Sequence, residues 1–530
     1  MRPPLDAFVD AQHHRSNSAD ALRSPDPADH PHHTGWPEWT TLFLYSGLVA
    51  FAIPYHEPFV DEAQAWQLAR SLSLPALFVK FIRYEGTPGL WHFLLWILTR
   101  IHVSYSGLHW LCGATAVVAT SLLIFRSPFP RYLKLLLPFT YFLLFQYAII
   151  ARSYILVPLL LYLVAICWKK NPAWIALLLG LLANVALHAA IISGGLAIVY
   201  LIAQIREGAH HDSALRRKLL LSATLLFCFY AFAIWTAWPP HDLSVSRAIG
   251  GSHSFLAFAI ASLVMGTCQP WILSILFWIA IALCLTARRS FFYLIPVLFF
   301  SIFSGAVYAT FWQMGLLVPL VICLLWITWP EAAASPAKFE IPGRAALAFL
   351  IAVQILWSAY AIRYDHDHAY SPDLATAQFL KPLVREGDTI AITYISNPAD
   401  HAFLNHPQDY NYLSIGILPY FSHNIFVNQP YPFWLWGEHD PAEKLFLAEL
   451  PSRPPIILAE VVQHTPAPIN LNNPKVKLLT QDGYRLTNIF CGTMPQRMEL
   501  AVRSCHLIFQ SSTDKPTALQ TKSVPSRPGT

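Results

Sequence analysis

Runs of about 15 to 22 apolar residues, separated by short polar or basic stretches, succeed one another along most of the chain. The first covers Trp39 to Tyr55, and others cover Leu108 to Phe125, Tyr132 to Ile150, Tyr154 to Trp168, Leu219 to Trp238, Phe291 to Ala309 and Ala345 to Ile362. Each is close to the roughly 20 residues that a helix needs to cross a ~30 Å hydrocarbon core. The pattern predicts a polytopic α-helical membrane protein with about 11 to 13 transmembrane helices, in which the long runs Trp174 to Ile205 and Phe255 to Leu285 each hold two short helices.

Three regions break the pattern. Residues 1 to 36 are rich in His, Pro, Asp and Ser, lack apolar periodicity, and are expected to form a disordered cytoplasmic tail. Residues 56 to 87 carry Glu57, Asp61, Glu62, Arg70, Lys80, Arg83 and Glu85. At about 3 kcal/mol each, these charges are too costly for the bilayer centre, so the loop lies outside the hydrocarbon. Within it Ala65, Leu68, Ala69 and Leu72 recur at helical spacing, which predicts a short surface helix beginning just after Asp61 and ending by Pro75. After Ile362 no spanning run remains. A helix from Pro372 to Leu380 and strand-like runs at Thr389 to Ile395, Pro455 to Glu460 and Val476 to Leu479 predict a soluble mixed α/β domain over 363–510, with a loose tail over 511–530. The transmembrane unit then occupies 37–362.

Composition agrees with a membrane protein: 12% of the 530 residues are charged, against about a quarter in a soluble domain, and mean hydropathy is +0.43. The net charge of +5 does not indicate nucleic acid, because the basic residues sit in short loops between apolar runs. Lys169-Lys170, Arg216-Arg217-Lys218 and Arg288-Arg289 read as cytoplasmic and loop 56–87 as extracytoplasmic; counted from a cytoplasmic loop with Lys338 and Arg344, the last span delivers the C-terminal domain to the extracytoplasmic face. Strict alternation fails twice. Arg126, Arg131 and Lys134 look cytoplasmic but fall outside if Pro88 to Ile101 and Leu108 to Phe125 both cross, and Phe255 to Leu285 has a similar parity fault. A broken or re-entrant stretch is expected in these regions. Six of the eight cysteines lie in apolar runs. Cys491 and Cys505 lie in the C-terminal part, where an oxidising compartment allows a disulfide and two free core thiols are the alternative.

Candidate chemistry concentrates in two blocks, Phe59-Val60-Asp61-Glu62-Ala63-Gln64-Ala65-Trp66 and Arg83-Tyr84-Glu85-Gly86-Thr87-Pro88-Gly89-Leu90-Trp91. A carboxylate at a membrane surface can act as general base on a sugar hydroxyl, and a second can hold a divalent cation beside a phosphate leaving group. Asp61 and Glu62 are the catalytic candidates, and Glu85 with His241 the metal or phosphate-region candidates. Asp61 followed by Gln64 also fits an N-cap, and Glu62 the positive end of a helix dipole. Arg152 and Arg247 are candidates for a donor phosphate, with an interfacial arginine reaching headgroups as the alternative for Arg152. His188, near Asn184 in an apolar run, reads as a buried hydrogen-bonded histidine.

The Asp-Glu-Ala-Gln-Ala-Trp block at 61–66, the Tyr-Glu-Gly-x-Pro-x-Leu-Trp block at 84–91 and Ala151-Arg152-Ser153-Tyr154 resemble bacterial GT-C membrane proteins related to the protein mannosyltransferases and the Rgt-type lipopolysaccharide glycosyltransferases. Weaker similarity runs through Tyr420 to Gly437. The chain departs from that pattern at Thr87, where relatives often have His, and at Trp312-Gln313-Met314-Gly315, where they often read Arg-His-x-Gly. The resemblance implies a GT-C-like fold in a bacterial inner membrane and a polyprenyl-phosphate sugar donor. It also implies a glycolipid, lipopolysaccharide or protein acceptor, with Asp61 as the base on the first outside loop. A lipid or solute transporter and a noncatalytic envelope-assembly protein are the competing expectations. A transporter calls for ionisable groups near the midplane, whereas the acids here gather in a surface loop.

Overall fold

The computed structural model describes residues 35–209, 211–241, 254–287, 290–329, 340–385, 389–395, 413–435, 453–463, 469, 471–496 and 499–511. The expected N-terminal and C-terminal tails fall almost wholly outside these residues.

Helix α1 (Trp36–Ala52) opens with Pro37 in its first turn and Glu38 buried beside it. Arg131 grips Glu38 bidentately at 2.8 and 2.7 Å, and Lys134 lies 3.6 Å away. Both basic residues therefore sit at the α1 start. Helices α2 (Val60–Ser71), α3 (Leu90–Arg100) and α4 (Tyr105–Arg126) follow. Helix α4, capped by Ser104 on the Gly107 N–H, returns antiparallel to α1: Trp39 meets Phe125 with ring centroids 4.8 Å apart, and a Cβ on Gly113 would fall 2.9 Å from the Val49 side chain.

This geometry corrects the first parity fault. Helix α3 has 11 residues and is about 16 Å long. It docks along α2, where Trp96 and Arg100 donate to the Leu72 carbonyl at 3.2 and 2.6 Å. Pro88 to Ile101 is thus not a span, and Arg126, Arg131 and Lys134 return to the end that holds Glu38.

From α5 (Arg131–Leu136) the chain goes back as an irregular passage through a 3-10 turn at Leu137–Phe139 and a π turn at Phe142–Gln146. Pro138 lacks the N–H that a continuous helix would use. Helices α6 (Leu156–Cys167), α7 (Pro172–Ala183), α8 (Leu187–Arg206) and α9 (Ser213–Ala237) then alternate. The split expected within Trp174 to Ile205 falls at Asn184, whose side-chain amide donates to the Gly180 and Phe229 carbonyls at 2.9 and 3.1 Å. After α9, the Trp238 carbonyl accepts from Arg83 Nε at 2.9 Å, which brings that helix end back to the level of α2.

The second long run divides into α10 (Phe255–Met265) and α11 (Trp271–Ala287), followed by α12 (Ile295–Ala306), the central α13 (Leu317–Thr328) and the 28-residue α14 (Glu340–Asp367). Phe255 lies against Gly305 at the far end of α12, and Cys284 against Gly343 at the start of α14. Helices α10 and α11 together therefore make one passage, which removes the second parity fault. Five helices are long and apolar enough to cross a membrane by length and composition, and shorter apolar helices lie among them. Large apolar side chains such as Phe43 and Phe227, 77% and 72% exposed, face outward, as in a bundle bathed by lipid.

Beyond α14 come α15 (Asp373–Arg385), β1 (Ile390–Tyr394), β2 (Ile456–Gln463), α16 (Pro474–Gln481), β3 (Tyr484–Gln496) and β4 (Glu499–Ser511). The sheet order is β1-β2-β4-β3, with β1 and β2 parallel and the other pairs antiparallel. The strand expected at Val476 to Leu479 is helical, because Asn473 caps the Lys475 N–H and Pro474 occupies the first turn. A short apolar run does not by itself distinguish the two.

Cys491 and Cys505 are direct cross-strand partners on β3 and β4 and are joined by a disulfide. With a sequence separation of 14, its loss is expected to cost about 3 kcal/mol. A lower melting temperature of Cys505→Ala, reproduced by reductant on the wild type, checks this; equal melting in all three would contradict it.

Candidate functional site

Helix α2 starts at Val60 because Glu62 turns back to accept the Phe59 N–H at 2.8 Å. The cap expected from Asp61 and Gln64 does not form. Successive residues diverge by about 100° around a helix, so the adjacent acids part company. Asp61 points outward with 36% of its side chain exposed, whereas the Glu62 side chain is wholly buried.

Asp61 pairs with the Arg152 guanidinium at 3.1 Å. Arg152 leaves the irregular passage in extended conformation, and its guanidinium lies 5.1 Å from the Tyr154 ring and 5.6 Å from that of Trp312. Glu85 accepts from Gln64 Nε2 at 2.8 Å. Gly86 then reverses the chain with φ of 56°, a conformation that disfavours any side chain. Gln64 also exchanges hydrogen bonds of 2.8 and 2.7 Å with the Trp434 backbone, and Arg70 donates to the Leu418 and Phe421 carbonyls. The C-terminal domain is thereby fixed over α2, so this helix is covered and does not lie open on a surface.

These residues enclose a cleft of about 130 Å³ lined by Asp61, Glu85, Thr87, Arg152, His188 and Gln313, among others. Three blocks far apart in sequence meet here: 61–66, 84–91 and 151–154. The 312–315 segment joins them, with Gln313 donating to the Tyr154 hydroxyl at 2.9 Å. His188 is buried and donates to the Tyr308 carbonyl at 2.8 Å, as expected, yet it also borders the cleft. His92 was not anticipated. It lines the same cleft from α3, and neither ring nitrogen has a hydrogen-bond partner among the described residues. Burial raises the Glu85 carboxyl to about 7, with nearby Asp61 adding to the rise against Gln64 and Arg152.

Glu62 does not reach the cleft. Its oxygens accept from Phe59 N–H, from Ala151 N–H at 2.6 Å and from His109 Nε2 at 3.0 Å, and His56 Nε2 lies 3.5 Å away. His56 meets Asp365, near the end of α14, at 3.0 Å through its other nitrogen. Burial penalises the Glu62 charge, but the two histidines more than offset it and hold the carboxyl well below the usual range. Burial likewise opposes charge on His56, yet Asp365 and Glu62 lift it to about 10. The expectation that Glu62 acts on substrate is corrected accordingly: a side chain with both oxygens engaged inside the protein is a scaffold.

His241 is exposed and does not line the cleft, and Arg247 lies outside the described residues. Among the described residues no group of three or more His, Cys, Asp and Glu side chains is placed to hold a metal ion. Asp61 and Glu85 share the cleft, but a guanidinium lies on the first and burial favours the protonated form of the second. No protein-family model, curated protein or solved structure matches the chain.

Proposed function

We propose that the chain is a membrane glycosyltransferase of the GT-C type, which moves a sugar from a polyprenyl phosphate to an extracytoplasmic lipid- or protein-linked acceptor with inversion. The observation that carries this reading is the meeting of Asp61 and Arg152 at 3.1 Å in a cleft that also holds Glu85. A base for a hydroxyl and a cation for a departing phosphate stand side by side there. The acceptor oxygen bonds to the anomeric carbon as the bond from that carbon to the phosphate oxygen breaks. The hydroxyl proton passes to Asp61, and the leaving phosphate keeps the electron pair. Arg152, with five N–H donors, stabilises the charge growing on that phosphate. The C-terminal domain, held over α2, would shape the acceptor side.

In this reading the cleft end of the bundle faces outward across a bacterial plasma membrane. Single cysteines at the exposed positions Ser104 and Pro128, beyond opposite ends of α4, should then react with impermeant reagents from opposite faces, Ser104 from outside. Labelling of both from one face would contradict the topology.

The functional test is purified protein with a panel of radiolabelled polyprenyl-phosphate sugars and membrane lipid extracts, wild type beside Asp61→Asn. Asp61-dependent transfer supports the proposal. Absence of donor binding and of transfer across the panel would overturn it in favour of transport or assembly.

Glu85 supplies a pH signature. Ionised above about pH 7, it would repel a phosphate-bearing donor by ~1–2 kcal/mol at short range. The donor KM is expected to rise about tenfold from pH 6 to pH 8.5 in the wild type and to stay level in Glu85→Gln. A rise of equal size in both would remove Glu85 from the explanation.

A further inference from the structure

The buried acids and histidines behind the cleft form one continuous chain of contacts. Asp365 meets His56 at 3.0 Å; His56 faces Glu62 at 3.5 Å; Glu62 holds the Ala151 N–H at 2.6 Å; and the next residue, Arg152, pairs with Asp61 at 3.1 Å. Asp365 lies near the end of α14, where the chain leaves the bundle for the C-terminal domain. The connector that follows grips the same segment twice more. Tyr370 stacks edge-on against the His56 ring at 4.7 Å, and the Ser371 hydroxyl donates to the Pro58 carbonyl at 2.9 Å.

We infer that His56 and Asp365 are positioning residues, which set the place of Arg152 against Asp61 through Glu62 and the Ala151 backbone and so tie the cleft to the root of the C-terminal domain. Both side chains are buried, as is Glu62, so none of them touches a ligand in the cleft. The His56 ring bonds Asp365 through Nδ1 and brings Nε2 to 3.5 Å from Glu62, so an imidazolium there is attracted to both carboxylates, an attraction that a neutral amide in either place weakens. Carboxylate oxygens held from two sides leave Glu62 one orientation, and that orientation fixes where the 151–152 backbone stands. Rates of group transfer are sensitive to such placement: an error of about 1 Å costs roughly 10²-fold.

The kinetic consequence rests on the glycosyltransferase reading; the structural one does not. Two measurements on the full chain in detergent separate them. In donor turnover, His56→Gln and Asp365→Asn are each expected to lower kcat by about tenfold to hundredfold with the donor KM unchanged within about twofold. The double variant should lose no more than the worse single one, because both act through one chain of contacts. In ¹⁵N-arginine spectra, with the Arg152 Nε signal assigned by Arg152→Lys, Asp365→Asn should shift that signal. Asp367→Asn, which breaks the pairs with Arg363 and His366 at 2.5 and 2.8 Å at the same helix end but touches neither His56 nor Glu62, should leave it in place. An Arg152 signal unmoved by Asp365→Asn overturns the inference whether or not sugar is transferred. Wild-type kcat in both single variants also overturns it. A shifted signal in a protein that turns over no donor upholds the linkage and removes the glycosyltransferase reading instead.

Discussion

Asp61→Asn is expected to lower sugar transfer by roughly 10³-fold while leaving insertion and melting close to wild type. Removing a general base costs about 10²- to 10⁴-fold, and Asn keeps the shape of Asp without a proton acceptor of comparable strength. Folding should tolerate the change because Asp61 does no structural work that Asn cannot do. The Phe59 N–H is satisfied by Glu62, and the Asp61 side chain is 36% exposed at the cleft. The pair is half-buried, with 22% of the Arg152 side chain exposed, and the Asn amide oxygen still accepts from the guanidinium, so the expected loss of stability is about 1–2 kcal/mol. The substitution also separates the two meanings that the motif carries as sequence, since Asn is as good a capping residue as Asp. A residue present only for capping would show full activity as Asn. Turnover within about twofold of wild type, in protein that is inserted and folded, would remove Asp61 from the chemistry.

Why Asp61, Glu85 and Arg152 were readable from sequence, and Glu62 was not, is a matter of distance along the chain. The first three lie in compact blocks of charged, aromatic and Gly-Pro residues between apolar runs, where any charge is conspicuous. The meaning of Glu62 depends on His109 and the Ala151 N–H, 47 and 89 residues away, and on Asp365, which reaches it through His56 across 309 residues. Local pattern holds no trace of such pairings. The available sign was His109 within the apolar α4 and Asp365 at the end of the apolar α14, since a polar group in such a setting needs a partner. Gln64, read as part of a cap, spans 370 residues to Trp434 for the same reason. The fold divides similarly. Apolar runs located most of the bundle and the splits at Asn184 and between α10 and α11. Hydropathy does not distinguish α3, which packs along α2, from a helix that crosses, because apolar faces serve both purposes. Only the misplaced charges at Arg126 to Lys134 signalled the difference.

Glu62→Ala should be the most disruptive single substitution in the bundle, with a loss of about 3–5 kcal/mol that shows as poor recovery of folded protein. It strands the Phe59 and Ala151 N–H groups and His109, and it leaves His56 with Asp365 alone. Glu62→Gln keeps the volume and one acceptor, so it should fold and allow measurement. Its deficit against wild type depends on pH, and the sign follows from the two shifted groups. The Glu62 carboxyl lies below its ordinary 4.5, so its contribution is present above pH 4.5 and is lost as pH falls. His56 is raised from 6.5 to about 10, so its contribution is complete below pH 6.5 and is lost as pH climbs toward 10. The melting-temperature gap between wild type and Glu62→Gln should therefore be widest between about pH 4.5 and 6.5, and should narrow at both pH 3.5 and pH 9. A gap that does not change with pH would mean that hydrogen bonding and shape hold this site together without its charges.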